Sequence, residues 1–239
     1  MTKIKTFFLL INLLFITAIS SGQNAGIVEY GVDFNDEKMK KFTDIEDSEK
    51  DRGSKFLKKF YLERKKVYDQ DIVFMELKFN KNEYIAKPVE FMIPESVDRN
   101  LFKKTLNLVY GNLNTNSFLF EYKRGANTYL VESEKNFKWD IKNEYEVIAG
   151  FKSRKAVLQV EGNPKLFCEA WFTSQIPVAF SPVKYYGLPG AILKVTTTFN
   201  HIYAKNIKFK DDVQIDKPTK GIKLSGKEYN KMMSNYSPN

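Results

Sequence analysis

Between Gly26 and Phe34 apolar and polar residues alternate loosely, the pattern of a half-buried strand. The period changes from Ser54 to Gln70. There Phe56, Leu57, Phe60, Tyr61, Val67 and Tyr68 fall mainly on one helical stripe, and Lys55, Lys58, Lys59, Arg64, Lys65 and Lys66 take the other side. The spacing predicts a helix with an apolar face and a solvated basic face. Phe34–Asp51 is charged and aperiodic, and reads as a loop or helix lead-in.

Beyond that helix the chain is a series of β-branched and aromatic runs broken by turn residues. Asp71–Phe79 and Glu83–Met92 are a predicted hairpin around Asn80-Lys81-Asn82. Pro94 begins a break, and Glu95–Tyr110 is read as a short helix with Leu101, Phe102, Leu106 and Val109 on one face. Ser117–Lys123 and Thr128–Glu132 are predicted strands joined across Arg124-Gly125-Ala126-Asn127, where Gly125 can take a positive φ. Phe137–Ile141, Tyr145–Glu161 and Leu166–Thr173 add strands, the last two turning at Gly162-Asn163-Pro164. Ala191–Phe199 and Tyr203–Lys210 form a last hairpin around Asn200-His201, and Gly226–Met233 a terminal helix. There is neither a long internal repeat nor βαβ alternation. The expected fold class is mainly β (α+β): one curved antiparallel sheet with one or two helices packed against it, in a single domain over residues 23–239.

Residues 1–22 stand outside that domain. Lys3 and Lys5 precede the apolar run Thr6–Ile19, and the small residues Ser20, Ser21 and Gly22 follow, the three parts of a secretory signal peptide. The run is about 14 residues where about 20 are needed to span a bilayer, so no transmembrane anchor is expected after cleavage. The expected location is the periplasm, the cell surface or the medium.

Export changes how the charge is read. The chain carries 38 Lys and Arg against 29 Asp and Glu, a net +9, and loss of Lys3 and Lys5 leaves +7. In an exported protein this excess does not point to nucleic acid. Twenty Phe and thirteen Tyr fit a packed, sheet-forming chain. The single Cys rules out an intrachain disulfide, and the single His rules out a His-based metal cluster. No cofactor or metal is expected.

Residues 170–195 differ from the rest. Ala170-Trp171-Phe172-Thr173 leads into Ile176-Pro177, Ser181-Pro182, and Tyr185-Tyr186-Gly187-Leu188-Pro189-Gly190-Ala191-Ile192. Three prolines fix the backbone between two strands, and Gly187 and Gly190 bracket Leu188-Pro189 in a tight turn that delivers the chain into a strand. This is a rigid, aromatic-lined loop capping a sheet.

These segments, with Trp139-Asp140-Ile141 and Ile148-Ala149-Gly150-Phe151-Lys152-Ser153-Arg154-Lys155-Ala156 upstream, resemble the GLPGLI family of exported Bacteroidetes proteins. The motif residues are Trp139, Gly150, Ala170, Trp171, Pro177, Gly187, Leu188, Pro189 and Gly190. Ala191 replaces the second Leu of the name motif, Ser181 replaces a Gly, and Ser153 stands where the family often has a Cys. The resemblance implies export and a β-rich fold, and carries no established activity.

Candidate chemistry is sparse. Cys168 is expected as a buried, inert thiol on the face of Leu166, Ala170 and Phe172, and His201 as an exposed turn residue. Asp211-Asp212 and Glu144/Glu146 are paired carboxylates of the kind glycosidases use, with no supporting motif. Trp171, Phe172, Tyr185, Tyr186 and Leu188 are expected either to pack the sheet or to form the lip of a groove for an apolar or glycan ligand. The function this suggests is a non-enzymatic binding or accessory module of the envelope. The alternatives are a hydrolase acting on envelope glycans or peptides, which needs close carboxylates in a cleft, and a structural subunit binding an envelope protein through an exposed edge or apolar patch.

Overall fold

The computed structural model describes residues 24–43, 52–102, 108–133, 136–159 and 168–235. The expected signal peptide at 1–22 and the turn Gly162-Asn163-Pro164 lie outside them. Twelve strands run through the described residues: β1 Gly26–Phe34, β2 Met75–Phe79, β3 Glu83–Pro88, β4 Val109–Asn112, β5 Ser117–Arg124, β6 Asn127–Glu132, β7 Lys138–Ile148, β8 Phe151–Gln159, β9 Cys168–Thr173, β10 Ala191–Thr197, β11 Asn200–Phe209 and β12 Ile222–Ser225. The helices are α1 Asp36–Thr43, α2 Arg52–Tyr68 and α3 Gly226–Ser234. The protein is thus mainly β.

All twelve strands join one open sheet, in the order β12-β6-β5-β4-β3-β2-β1-β11-β10-β9-β8-β7. Cross-strand register builds its apolar face in rows. Val131, Phe120, Val109, Ala86, Leu77 and Val28 stand side by side on six successive strands. Val32, Ile202, Val195, Ala170 and Ala156 form a second row. Every residue of both rows is buried. The other face is polar where Glu29 stands beside Asn206 and Lys208. One face therefore seeks a cover, the usual requirement of an antiparallel sheet.

Two pieces of chain supply it. Helix α2 packs Phe60, Tyr61 and Tyr68 around Phe34, with ring centroids 6.5, 4.8 and 5.1 Å away. Residues 174–190, between β9 and β10, cover the middle. Phe180 lies 4.7 Å from Phe79, and Tyr186 stacks on Phe118 at 3.6 Å and 17°. Tyr185 and Leu188 close a second cluster over Ala156, Leu158, Cys168 and Ile192.

The cover is pinned at its exit. A Cβ on Gly190 would sit 2.2 Å from the Thr173 carbonyl oxygen, so only glycine lets the two backbones approach. The buried Tyr30 hydroxyl donates to the Ile192 carbonyl at 2.6 Å, and the Ile192 amide donates to the Phe180 carbonyl at 3.0 Å. A bulge at Leu193 then turns Ala191, Ile192 and Leu193 into three consecutive buried residues.

Several sequence expectations are corrected. Among the described residues of the helix expected over Glu95–Tyr110 there is a 3-10 turn at Arg99–Phe102, Val109–Asn112 is a strand, and residues 103–107 lie outside the described residues. Pairing wins there because Gly111 lets the Tyr84 ring lie across it between β3 and β5. The long strand Tyr145–Glu161 is two strands, reversed at Ala149-Gly150, where φ is 49° and 86°. His201 lies within β11. The sheet is not wholly antiparallel, since β12 runs parallel to β6. Arg64 is not on the solvated face of α2. It is buried, its Nε and Nη2 donate to the Leu101 carbonyl at 3.0 and 2.8 Å, and its guanidinium lies 4.4 Å from the Phe60 ring centre.

Two glycines of the cover separate conformational strain from crowding. Gly187 has φ 92° and open space around its Cβ position, so Gly187→Ala is expected to cost about 1–2 kcal/mol. Gly190→Ala adds a backbone clash and is expected to cost roughly 3 kcal/mol or more. Urea unfolding of both variants checks the order, and equal losses would refute the crowding argument.

Candidate functional site

A cavity of about 740 Å³ opens where strands from opposite ends of the sheet order meet the cover. One wall comes from Phe120 and Tyr122 of β5, Val131 of β6 and Tyr229 of α3. The facing wall comes from Phe137, Leu158 and Gln159 beside Lys184 and Tyr185 of the cover. The volume lies in the range of small-ligand sites.

Local structure sets each wall. Ser225 caps α3, accepting from the Glu228 amide at 3.2 Å while Glu228 accepts from the Ser225 amide at 2.7 Å. The capped helix places Tyr229 flat against Tyr122, 4.6 Å away and 20° from parallel. Opposite, Phe137 meets Tyr185 edge to face at 5.5 Å and 71°. Burial pushes the Tyr185 phenol up to about 12 and raises those of Tyr122 and Tyr229, so all three are neutral hydroxyls at physiological pH. The site offers ring faces and neutral polar groups.

Of the residues expected at a groove lip, Tyr185 lines this cavity. Tyr186 is buried beside it. Its hydroxyl donates to Ser133 Oγ at 2.9 Å, and its carbonyl accepts from Trp139 Nε1 at 2.9 Å. Leu188 and Phe172 are buried in the cluster behind the cavity. Trp171 follows the strand alternation to the other face, where Lys155 and Lys194 lie 5.8 and 5.7 Å from its ring centre. Among the motif residues, Ala170 is in the core row, Gly150 makes the β7–β8 reversal, and Pro177 and Pro189 are exposed.

Tyr122, Phe137, Leu158, Gln159 and Tyr229 were not singled out in the sequence. Tyr229 reaches the cavity because β12 pairs in parallel with β6 and brings α3 there, and no local pattern encodes that join.

A second cavity of about 430 Å³ lies by the β7–β8 reversal, lined by Asp33, Glu146, Lys194, His201 and Tyr203. Glu146 closes over Lys194 with bonds of 3.0 and 2.9 Å. His201 Nδ1 and Thr196 Oγ1 share a hydrogen bond of 2.9 Å. Register puts His201 beside Thr196 and Cys168 beside Thr197, on opposite faces of the sheet, so the two do not form a Cys–His pair. Burial pushes the Cys168 thiol up to about 12, the reverse of what a nucleophile needs. Glu132 is the one carboxylate among the described lining residues of the larger cavity, and acid–base hydrolysis of glycosides uses two. Among the described residues, no group of three or more His, Cys, Asp or Glu is arranged to hold a metal ion.

The fold and cavity define a mainly β protein with a small-molecule-sized cavity between its sheet ends and its cover. Residues 132–194 match a family described as a protein of unknown function (Porph_ging). This stretch contains β7 to β9, the cover and the start of β10. Two solved structures are similar in fold: PNGF-II in space groups C2 and P21, at TM-scores of 0.50 and 0.52 and 14% identity in both. Each comparison covers 88% of this chain, which spans about a third of theirs (32% and 33%). No curated protein matches in sequence. No helix among the described residues is long and apolar enough to cross a membrane.

Two measurements test the polar assignments. Thiol reagent at pH ~8 should label Cys168 in the native protein at least about a hundredfold more slowly than in urea; comparable rates would refute its burial. Burial, then the nearby Lys194 charge, hold the His201 pKa below its ordinary value, with Asp33, Asp36 and Glu169 opposing. The denatured chain therefore takes up this proton first. Stability should be intact above about pH 6.5 and fall as pH drops from there towards the folded pKa. Urea midpoints at two pH values spanning that window should differ less for His201→Gln than for the parent protein.

Proposed function

We propose that this protein is an exported binding module that holds a small ring-bearing ligand, apolar or sugar, in the larger cavity. The observation that carries the reading is the cavity itself. Tyr122–Tyr229 and Phe137–Tyr185 put aromatic rings on facing walls, with the Gln159 amide between polar neighbours. Rings of these kinds gain from aromatic surfaces, and amides and phenols orient them by hydrogen bonds. Export rests on residues 1–22, and the GLPGLI resemblance of residues 139–195 agrees with it.

A second reading, an envelope partner-binding subunit, rests on β7. This strand forms one edge of the sheet and exposes Ile141, Tyr145 and Val147. Its regular pairing with β8 is interrupted between Ile141 and Tyr145, which breaks the straight edge an added strand would need.

Native mass spectrometry of the protein isolated gently from its own cell envelope tests the first reading. A mass excess that disappears on denaturation is expected. Tyr229→Ala, which removes one ring wall at about 1 kcal/mol of stability, should lose that excess. A bare monomer mass from both proteins would sink the binding reading.

A further inference from the structure

The second cavity, of about 430 Å³ by the β7–β8 reversal, has two unlike sides. Its floor belongs to the polar face of the sheet. Asp33 of β1 and His201 of β11 are register partners there, and Tyr203, two residues along β11, is the partner of Lys194 of β10. Its wall is Val147, Ile148 and Ala149 at the hairpin tip, which present alkyl groups. Ala149 holds φ at 49°, so the chain keeps a methyl group where glycine would be less strained. The floor carries hydrogen-bonding atoms without partners among the described residues. His201 Nδ1 shares its bond with Thr196 Oγ1 at 2.9 Å, which leaves Nε2. Asp33 Oδ1 accepts from the Phe34 amide at 2.7 Å, which leaves Oδ2. Glu146 and Lys194 stand beside them as a fixed acceptor–donor pair, both carboxylate oxygens within 3.0 Å of the ammonium. The Tyr203 ring adds an aromatic surface.

We propose that this second cavity is a saccharide site, separate from the larger cavity, that takes one neutral hexopyranose ring. Sugar hydroxyls both donate and accept, so they match a mixed set of groups: a carboxylate oxygen, an imidazole nitrogen and an ion pair already closed on itself. The C–H faces of the ring match the Tyr203 ring and the alkyl wall. Burial and then the Lys194 charge hold His201 below its ordinary pKa, so near neutral pH Nε2 belongs to an uncharged imidazole and donates or accepts with the tautomer. The strands keep these groups in register, so little freedom is lost when a ligand binds. The volume lies in the lower part of the small-ligand range, which suits a single ring.

His201 is the chain's only histidine, so its imidazole proton and carbon resonances report on this cavity without ambiguity. The probes are the methyl glycosides of glucose, galactose and mannose, and N-acetylglucosamine. Near pH ~7.5, at least one of them is expected to move these resonances saturably, with a Kd of about 1–10 mM. Dioxane, a ring ether of similar size without hydroxyl groups, should leave them in place. Asp33→Asn keeps the oxygen that the Phe34 amide uses, and should weaken that sugar about tenfold. Tyr203→Ala should weaken it about fivefold, and Tyr229→Ala, in the larger cavity, should leave it within about twofold. Unchanged thermal melts verify that the variants are folded. No saturable shift with any of the probes up to about 0.1 M, an equal response to dioxane, or full affinity in Asp33→Asn would overturn the saccharide assignment. Loss of the response in Tyr229→Ala would place the sugar in the larger cavity and overturn this site.

Discussion

The approach of Gly190 to the Thr173 carbonyl is the constraint on which the rest of the structure turns. It joins the end of β9 to the start of β10 at a separation no side chain permits, and so sets where the intervening residues begin and end their path over the sheet. With that junction closed, the Tyr30 hydroxyl donates to the Ile192 carbonyl and the Phe180 carbonyl accepts from the Ile192 amide, so both backbone groups of Ile192 are held. Phe180 and Tyr186 then reach Phe79 and Phe118, on strands from the other half of the sheet order. A sheet with one long apolar face is not stable in water by itself. Here the cover completes the core and also forms one side of the larger cavity, so fold and site share a single structural cause.

The same pressure explains the side chains buried against expectation. Around Phe34 of β1 the apolar face is covered by α2, whose inner surface includes Arg64. Its guanidinium is not matched by a carboxylate in its described contacts. It is satisfied by the Leu101 carbonyl, the Tyr68 hydroxyl and the faces of Phe60 and Phe102. Planar geometry makes this arrangement possible for arginine, and a lysine would leave the Leu101 carbonyl with a single donor direction. Charge groups Arg64 with the basic residues, but helical spacing sets it four residues from both Phe60 and Tyr68, in the middle of the apolar stripe, where it packs against the Arg99–Phe102 turn.

What was legible in the sequence was local. The boundaries of β1 and the hairpin of β5 and β6 follow from period-two alternation and from Gly125. The cover was legible because prolines and glycines cluster there, and its role as an aromatic cap matches its position. The missing features are long-range or depend on context. The β7–β8 reversal sits at Ala149-Gly150 within an otherwise continuous β-forming run, and a single glycine there is a weak turn signal. Strand β12 is short and half exposed, so pairing with β6 creates its β structure where propensity does not. The site followed the same division: Tyr185 was singled out within the cover, while Tyr122 and Tyr229 required the topology. Trp171 and Phe172 show the limit of reading aromatics as a group, because neighbouring strand residues face opposite sides of the sheet.

The division between core and cavity also explains how this architecture can keep its fold while its cavity changes. The buried rows pass through β1 to β6 and β8 to β11, and the cover is anchored within them. Much of the cavity surface instead belongs to elements that add little to the core. Helix α3 contributes Tyr229 and Lys227 and has no buried residue, while Lys138 and Lys184 are exposed. The family match over residues 132–194 contains Gly190, Thr173 and the Phe137–Tyr185 wall, whereas Tyr122, Lys227 and Tyr229 lie outside it. One wall is therefore tied to the junction that completes the core, while the other combines core residues Phe120 and Val131 with Tyr229 on a helix joined to the sheet through one short parallel strand. Substitutions at Tyr229 and Lys227 on that helix alter the shape and charge of the cavity without touching the Gly190–Thr173 contact or the buried rows, so ligand preference can change at small cost in stability.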